Sequence, residues 1–265
     1  MVLEGNSRKM KTVLDDTIDY TLRLGEEEVG LNAFLGKTIR LSFLGEINCI
    51  KCGRLTKKSF AQGFCYPCMT NAPENSECII RPELCRGHLG EGRDPEWEQI
   101  HHVCEHVVYL AASSVLKVGV TRGQQVPTRF IDQGASAVKI IARTPHRCAA
   151  GEIEVALKEG FTDRTSWQKM LKNDVIDDPD WDEAFDFAEQ LVPFMQQEYL
   201  VDDEPVITLN YPVLNYPEKV KSLGFDKAPI IEGTLLGIKG QYLLLDDNRV
   251  LNIRKHNGYK IRFEG

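Results

Sequence analysis

Residues 106–122 read HVVYLAASSVLKVGVTR, which is two apolar runs joined by a short loop. Runs of this length and composition predict two β-strands that follow one another closely. The chain beyond them predicts a helix near 126–134, a strand near 137–142 and a helix from about 148 to 160. This alternation predicts an α/β core over residues 106–173.

Four side chains on this core can carry chemistry: Tyr109, Lys117, Arg129 and Glu154. Arginine binds a phosphate through two hydrogen bonds, a carboxylate holds one Mg²⁺ or Mn²⁺, and a tyrosine near such charges can deprotonate a water. The alternative is structural, with Tyr109 in the core and the charged pair forming an ion pair or lying on the surface. Glu152 competes with Glu154 as the ligand. Since the two point about 200° apart on a helix, only one of them can face a site.

Cysteine spacing upstream of the core predicts a metal centre. Cys49 and Cys52 form one C-x2-C pair, and Cys65 and Cys68 form a second. Two such pairs close a tetrahedron of thiolates around one zinc ion, and a redox pair is the alternative. Because four thiolates leave no open position, this zinc is expected to hold the fold rather than to do chemistry.

A second candidate zinc set lies further along the chain. Cys85-x2-His88 has ligand-like spacing, and Cys78 and His102 complete a set of four. Buried thiols beside surface histidines are the alternative. Cys148 stands apart from both sets and is interpreted as a core residue.

The flanking segments differ in character from the core. Alternating apolar residues predict strands at 17–24 and 38–45, and helical spacing predicts a helix at roughly 180–200 that Pro193 kinks. Four short β runs end the chain, separated by glycine, Asp-Asn and Asn-Gly turns. The predicted organisation is N-terminal β-strands (1–45), joining the C-terminal β domain, a zinc-binding region (46–105), the α/β module (106–173), an acidic helical segment (174–204) and a C-terminal β domain (205–265).

Composition and charge limit the class of protein. The chain has 265 residues, 42% of them hydrophobic, which excludes a disordered tail, a fibre and a small disulfide scaffold. No apolar run approaches the roughly 18–20 residues of a membrane span, and the first residues do not read as a signal peptide, so no membrane association and a cytoplasmic location are expected.

Charge is distributed unevenly along the chain: residues 107–172 carry 10 bases and 5 acids, although the whole chain has a net charge of -7. This segregation favours contact between the module and an anion such as DNA or RNA; a solvated acidic helix beside an ordinary surface is the alternative.

The order VVY, KVG, arginine and glutamate resembles the GIY-YIG nuclease fold, found in the nucleotide-excision-repair incision subunit and in homing and restriction endonucleases. In that fold the two tripeptides lie on adjacent strands, the arginine begins a helix and the glutamate binds the metal. The resemblance places the first motif's tyrosine at Tyr109, the second motif's glycine at Gly119, the arginine at Arg129 and the metal ligand at Glu154.

Three positions depart from that pattern. Lys117 stands where the second motif has its tyrosine, Gln133 where a histidine often follows the arginine, and Ser166 where many members carry a late asparagine. A site that lacks these groups is expected to be slow or inactive.

The whole chain is also similar to a bacterial family of proteins of unknown function, for which no substrate is established. The matching stretches run from about residue 40 to the C-terminus and include RPELCRGHLG, PTRFIDQGA and GIKGQYLLLDDNRVLNIRK. The resemblance implies a zinc-containing protein with a GIY-YIG-like core. Together with the cysteine spacing and the four C-terminal β runs, it predicts an α+β fold: a GIY-YIG-like α/β core with a zinc-knuckle or zinc-ribbon insertion and a small terminal antiparallel β-sheet or barrel.

Three functional hypotheses follow. The first is an endonuclease that binds structured or single-stranded nucleic acid and hydrolyses a phosphodiester with Mg²⁺ or Mn²⁺ on Glu154. The second is a non-catalytic DNA-, RNA- or ribonucleoprotein-binding module, and the third is a protein-interaction scaffold that uses the acidic helix. The expected nucleic-acid contacts, besides Lys117 and Arg129, are Arg122, Arg143, Arg147, Lys239, Arg254 and Lys255.

Overall fold

Thirteen strands and six α-helices make up the computed structural model, which describes residues 1–164, 166–176 and 178–265. The strands are β1 (Val2–Val13), β2 (Asp19–Leu24), β3 (Glu27–Gly30), β4 (Thr38–Ile47), β5 (His106–Ala112), β6 (Leu116–Arg122), β7 (Ala137–Thr144), β8 (Ile207–Thr208), β9 (Lys221–Leu223), β10 (Ile230–Lys239), β11 (Tyr242–Leu245), β12 (Arg249–Asn252) and β13 (Tyr259–Glu264). The helices are α1 (Tyr66–Asn71), α2 (Pro95–His102), α3 (Thr128–Gln133), α4 (Arg147–Leu157), α5 (Trp167–Leu171) and α6 (Trp181–Leu191).

Strands from both ends of the chain build one nine-stranded sheet. Its order is β3-β2-β1-β13-β4-β10-β11-β12-β9, and every neighbouring pair is antiparallel except β12 and β9. β1 pairs with β13 from Val2 opposite Glu264 to Asn6 opposite Lys260. The first strand of the chain therefore lies in the middle of this sheet, beside the last one.

The quoted stretch forms part of a second, four-stranded antiparallel sheet with the order β6-β5-β7-β8. Tyr109 on β5 lies directly opposite Gly119 on β6. The turn between the two strands holds Ser113, whose hydroxyl donates to the carbonyl of Val115 at 3.0 Å. The predicted helix–strand–helix order beyond β6 is present as α3, β7 and α4, so the fold is mixed α+β.

β5 is apolar at almost every position because both of its faces are covered. Val107, Tyr109 and Ala111 belong to the main core, together with α3 and the nine-stranded sheet. Val108 and Leu110 belong to a second core, with α4 and α6. β5 is thus the layer between the large sheet and the helices, and it holds the side chains of the candidate site in place.

The acidic helix is shorter than its sequence predicts. α6 ends at Leu191, and a 3₁₀ segment, Phe194–Tyr199, replaces the expected continuation to about residue 200. Pro193 lacks a backbone N–H and forces Val192 into an extended conformation, so it ends the helix instead of kinking it. None of the described helices is long and apolar enough to cross a membrane.

Candidate functional site

Four cysteines converge after β4 as the sequence predicts. The sulfur atoms of Cys49, Cys52, Cys65 and Cys68 all lie within 4.8 Å of one another. Cys52 Sγ and Cys65 Sγ are 3.8 Å apart, which is about the edge of a tetrahedron with zinc–sulfur bonds of about 2.3 Å. Gly53 adopts φ +72° in the first knuckle, a conformation that glycine takes without strain.

The chemistry of this group suits zinc. Burial alone raises the pKa of the Cys49 thiol, but hydrogen bonds from the backbone N–H groups of Cys52, Cys65 and Lys51 outweigh it and lower this pKa to about 6. The thiolate is the form that binds metal. The four cysteines can therefore bind zinc, and a closed set of four sulfurs is typical of a structural ion.

A second buried group contains Cys78, Cys85, Glu98 and His102. His102 Nδ1 lies 3.4 Å from Cys85 Sγ and 3.8 Å from Cys78 Sγ, and the Glu98 carboxylate contacts the same nitrogen. Glu98 and His102 are one turn apart on α2, which aims both into the group. A carboxylate that is only 3% exposed is costly without a cation, so this set also fits zinc.

The sequence prediction for the second group differs from the structure in one residue. His88 lies outside it, in a short 3₁₀ turn, with its ring stacked on His146 at 4.4 Å. Glu98 stands in its place. The spacing Glu98-x3-His102 in EWEQIHH was a signal for this pair, because residues four apart share one face of a helix.

A cleft of about 520 Å³, the central cleft, opens between the cysteine region and the α/β core. One wall comes from the cysteine region and is made by Ile79, Ile80, Pro82, Trp97 and His102. The other comes from β6, α3 and α4 and includes Lys117, Gly119, Arg129, Gln133 and Glu154. Arg254, from the short helix before β13, closes one side. Three distant segments of sequence thus meet at one site.

Tyr109 lies beneath the floor of the central cleft and is fully buried. Its hydroxyl donates to Gln133 Oε1 at 3.0 Å, and Lys117 Nζ donates to the same oxygen at 2.9 Å. The ring has room only because position 119 is glycine, where a Cβ would approach the Tyr109 hydroxyl to 2.6 Å. Burial raises the pKa of Tyr109, although the positive charge of Arg129 and a hydrogen bond from its guanidinium favour the ionised form.

Lys117 is a cation with an unusually low proton affinity. Its side chain is 4% exposed, and burial, reinforced by the charge of Arg129, lowers its pKa to about 8. A lysine with this pKa is still mostly protonated at pH 7 but loses its proton at a much lower pH than an ordinary lysine does.

Glu154 faces the central cleft from α4, and Glu152 does not. Lys158 Nζ lies 3.4 Å from Glu154 Oε2 and 3.3 Å from Asp163 Oδ2, so one ammonium bridges two carboxylates. Burial raises the pKa of Glu154, and the nearby Lys158 ammonium offsets this rise only in part. The carboxylate of Glu152 instead accepts a hydrogen bond from Gln196 on the outer side of the helix.

Two of the predicted nucleic-acid contacts, Arg122 and Arg254, line the central cleft. Arg147 lines it too, but its guanidinium donates to the carbonyls of Cys78 and Ile79 at 2.8 and 2.9 Å and so anchors the cysteine region to α4. Arg143 lies elsewhere, paired with Glu105 and Glu204.

The last two predicted contacts also lie outside the central cleft. Lys239 is fully buried, donates to Asn173 Oδ1 at 2.8 Å and lies over the rings of Tyr211 and Tyr216. It therefore does not reach a ligand at the surface. Lys255 is exposed and lines a separate cleft of about 420 Å³.

Comparison with known families shows which family this chain belongs to. A family model described as "Protein of unknown function (DUF2797)" matches residues 36–261. Since that match covers most of the sequence, the chain belongs to this family. No curated protein and no solved structure matches it.

Proposed function

We propose that this member of the family binds the phosphate backbone of nucleic acid in the central cleft. The observation that carries the proposal is a set of arginines without carboxylate partners. Among the described residues, Arg122, Arg129 and Arg254 line the cleft and have no carboxylate oxygen within 4.0 Å. In a chain with a net charge of -7, where acids outnumber bases, such converging cations are typical of a site for an anionic ligand.

A divergent GIY-YIG-like core is part of this proposal. The cross-strand pairing of Tyr109 with Gly119 supports it, as does the position of Arg129, Gln133 and Glu154 around one cleft. Two zinc ions would hold the opposite wall, because the cysteine region has few regular elements of its own to keep its shape.

The proposal is tested by measuring the affinity of the full-length protein for labelled DNA and RNA. Charge-assisted hydrogen bonds to phosphate are worth about 1.5–3 kcal/mol, so Arg129→Ala and Arg254→Ala are each expected to weaken binding by roughly tenfold or more. Arg143→Ala is the matched control, since Arg143 is paired with two glutamates outside the cleft. Absence of salt-dependent binding to every nucleic acid tested would refute the proposal.

Phosphodiester hydrolysis is a second candidate function, and the environment of Lys117 favours it. Its lowered pKa suits a general base near neutral pH, whereas Tyr109, with its raised pKa, is poorly suited to take a proton. Neutral Lys117 would accept a proton from the attacking water as the new P–O bond forms. The leaving oxygen would depart with the electron pair of the broken P–O bond and take a proton from solvent, and Arg129 would offset the negative charge on the phosphoryl oxygens. Glu154, with Asp163 beside it, would hold a Mg²⁺ or Mn²⁺ ion that polarises the phosphoryl oxygen.

A cleavage assay with Mg²⁺ or Mn²⁺ separates the two functions. Products made by the wild type should be lost in Glu154→Gln and Arg129→Ala and kept in Glu152→Gln, whose side chain faces away from the cleft. Wild-type protein that binds nucleic acid but makes no product would leave the non-catalytic alternative, a nuclease-like fold used for recognition.

A further inference from the structure

The two walls of the central cleft have opposite chemistry. On the core side the cations Lys117, Arg122, Arg129, Lys158 and Arg254 outnumber the carboxylates Glu154 and Asp163. On the cysteine side Ile79, Ile80 and Trp97 form an apolar surface next to Glu74. Ile80 is 84% exposed and lines the cleft, so its apolar side chain is available to a ligand there. A ligand made only of phosphate and sugar would leave the apolar side chains of the cysteine side without an apolar contact.

Trp97 is held firmly in that wall. It lies in the first turn of α2, where its backbone N–H donates to the side chain of Asp94, the cap of the helix. Its ring is 4.3 Å from the ring of His101 and 5.0 Å, edge-on, from that of His102. Since Glu98 and His102 belong to the second cysteine group, a bound metal would fix the helix that presents Trp97 to the cleft.

We propose that the central cleft takes unpaired nucleotides of single-stranded nucleic acid, with a base stacked on Trp97 beside Ile80 and the adjoining phosphate on Arg129 and Arg254. This inference rests on the proposed binding function and names its substrate class. In a duplex the bases are stacked and paired, so only the backbone would be offered to the cleft, and its apolar wall would stay uncovered. A volume of about 520 Å³ is in the range of sites for small ligands, and a whole duplex cannot enter it.

Base stacking on an aromatic ring is tolerant of sequence and lost on truncation to alanine. The test therefore compares one labelled sequence as single strand and as duplex, in both DNA and RNA, with an abasic single strand as a further probe. Trp97→Ala should weaken binding of the single strand by about tenfold and leave duplex and abasic binding unchanged. Trp97→Phe should keep most of the affinity. Ile100→Ala, on the same helix and exposed but not lining the cleft, should change nothing.

Tryptophan fluorescence gives a second measurement that does not depend on the affinity of a truncated variant. A base stacked on the indole of Trp97 should quench its emission, and the quenching should disappear in Trp97→Phe but persist in Trp181→Phe. Zinc content and circular dichroism identify any variant that has not folded.

The failures of the two proposals are distinguishable. If the wild type binds no nucleic acid at all, the proposed function fails and this inference fails with it. If the wild type binds, but binds the duplex as tightly as the single strand, or if Trp97→Ala weakens both equally, the inference is wrong and backbone binding stands.

Discussion

Gln133 organises the interior of the candidate site. Its side-chain oxygen accepts hydrogen bonds from both the Tyr109 hydroxyl and Lys117 Nζ. Where a histidine would titrate near neutral pH, this amide is neutral at every pH and holds both donors in one arrangement. One acceptor of the Lys117 ammonium is therefore an uncharged amide.

Replacing Lys117 by methionine is expected to stabilise the protein at pH 7. The folded-state pKa of about 8 lies below the ordinary 10.5, so the folded state bears the cost of a buried charge, at most about 3 kcal/mol. Methionine removes that cost, and Gln133 keeps the Tyr109 hydroxyl as a donor. Urea unfolding at pH 7 should show a gain of about 1–3 kcal/mol, together with weaker nucleic-acid binding.

The pH dependence of this difference has a definite sign. Between about pH 8 and 10.5 the unfolded chain binds more protons at Lys117 than the folded chain, so the wild type gains stability there as the pH rises. The gain in the free energy of unfolding from Lys117→Met should be full below pH 8 and shrink across that window.

Lys239→Met is the matched control, because the pKa of Lys239 is also lowered to about 8 by burial but this lysine lies outside the cleft. It should leave nucleic-acid binding unchanged. An advantage of Lys117→Met that does not change with pH would contradict the assignment.

Gly119→Ala is expected to lower the free energy of unfolding, because position 119 packs directly against Tyr109 below the central cleft. The new methyl group would approach the hydroxyl and ring of Tyr109, which is fully buried and cannot move aside freely. Overpacking of this kind costs about 1–3 kcal/mol, measured by thermal or urea unfolding. Gly30→Ala, at a strand position with open space around it, should cost far less. Equal losses in the two variants would mean that the contact with Tyr109 is not the cause.

Helix α2 presents residues of the cysteine region both to the central cleft and to the second cysteine group. The helix is eight residues long, begins at Pro95 after the Asp94 cap, and presents Trp97 to the cleft and Glu98 with His102 to the second cysteine group. Arg147, at the start of α4, holds the carbonyls of Cys78 and Ile79. Metal binding and the shape of the cleft are expected to be linked through these two helices.

Metal counting tests the composition of the second group. Purified wild-type protein should contain about two zinc ions per chain by elemental analysis. Glu98→Gln and His102→Ala should lower this to about one, because each removes a ligand of the second group but none of the four cysteines of the first. Nucleic-acid binding should weaken in both, because the apolar wall loses its support.

His88→Ala is the discriminating variant in the same measurement. His88 stacks on His146 outside the group, so its loss should leave two zinc ions in place. A drop to one ion in His88→Ala, with two retained in Glu98→Gln, would restore the ligand set that the sequence spacing suggested.

The charge of the whole molecule limits how it can bind nucleic acid. Its net charge of -7 opposes the approach of a polyanion to the molecule as a whole, so contacts with phosphate at the central cleft should be few and local. Binding to a single strand should then show a shallow salt dependence, with a slope of log K against log salt of about -2 to -3 for three or four phosphates. Arg129→Ala should reduce the slope by about 0.7, and titration at several salt concentrations measures both values. A slope far steeper than this would point to a second basic surface, such as the cleft beside Lys255.

The nine-stranded sheet joins parts of the chain that no local pattern connects. The sequence does not predict β1, because its two buried apolar residues, Leu3 and Met10, are far apart and its pairing with β2 shifts register between Arg8 and Lys11. It is a strand because β2 and β13 flank it on both sides. Long-range pairing overrides weak local preference here, as is usual for β-structure.

Features with a short period or a short spacing were readable from the sequence alone. The apolar runs of β5 and β6, the four C-terminal strands and the two C-x2-C pairs each depend on neighbours within a few residues, where backbone geometry fixes the pattern. The membership of Glu98, the exclusion of His88, the burial of Lys239 and the arrival of Arg254 in the central cleft depend instead on segments far apart in the chain. Such contacts are set by how whole elements pack. The local spacing of Glu98 and His102 shows only that the two share one face of a helix, and not which cysteines that face meets.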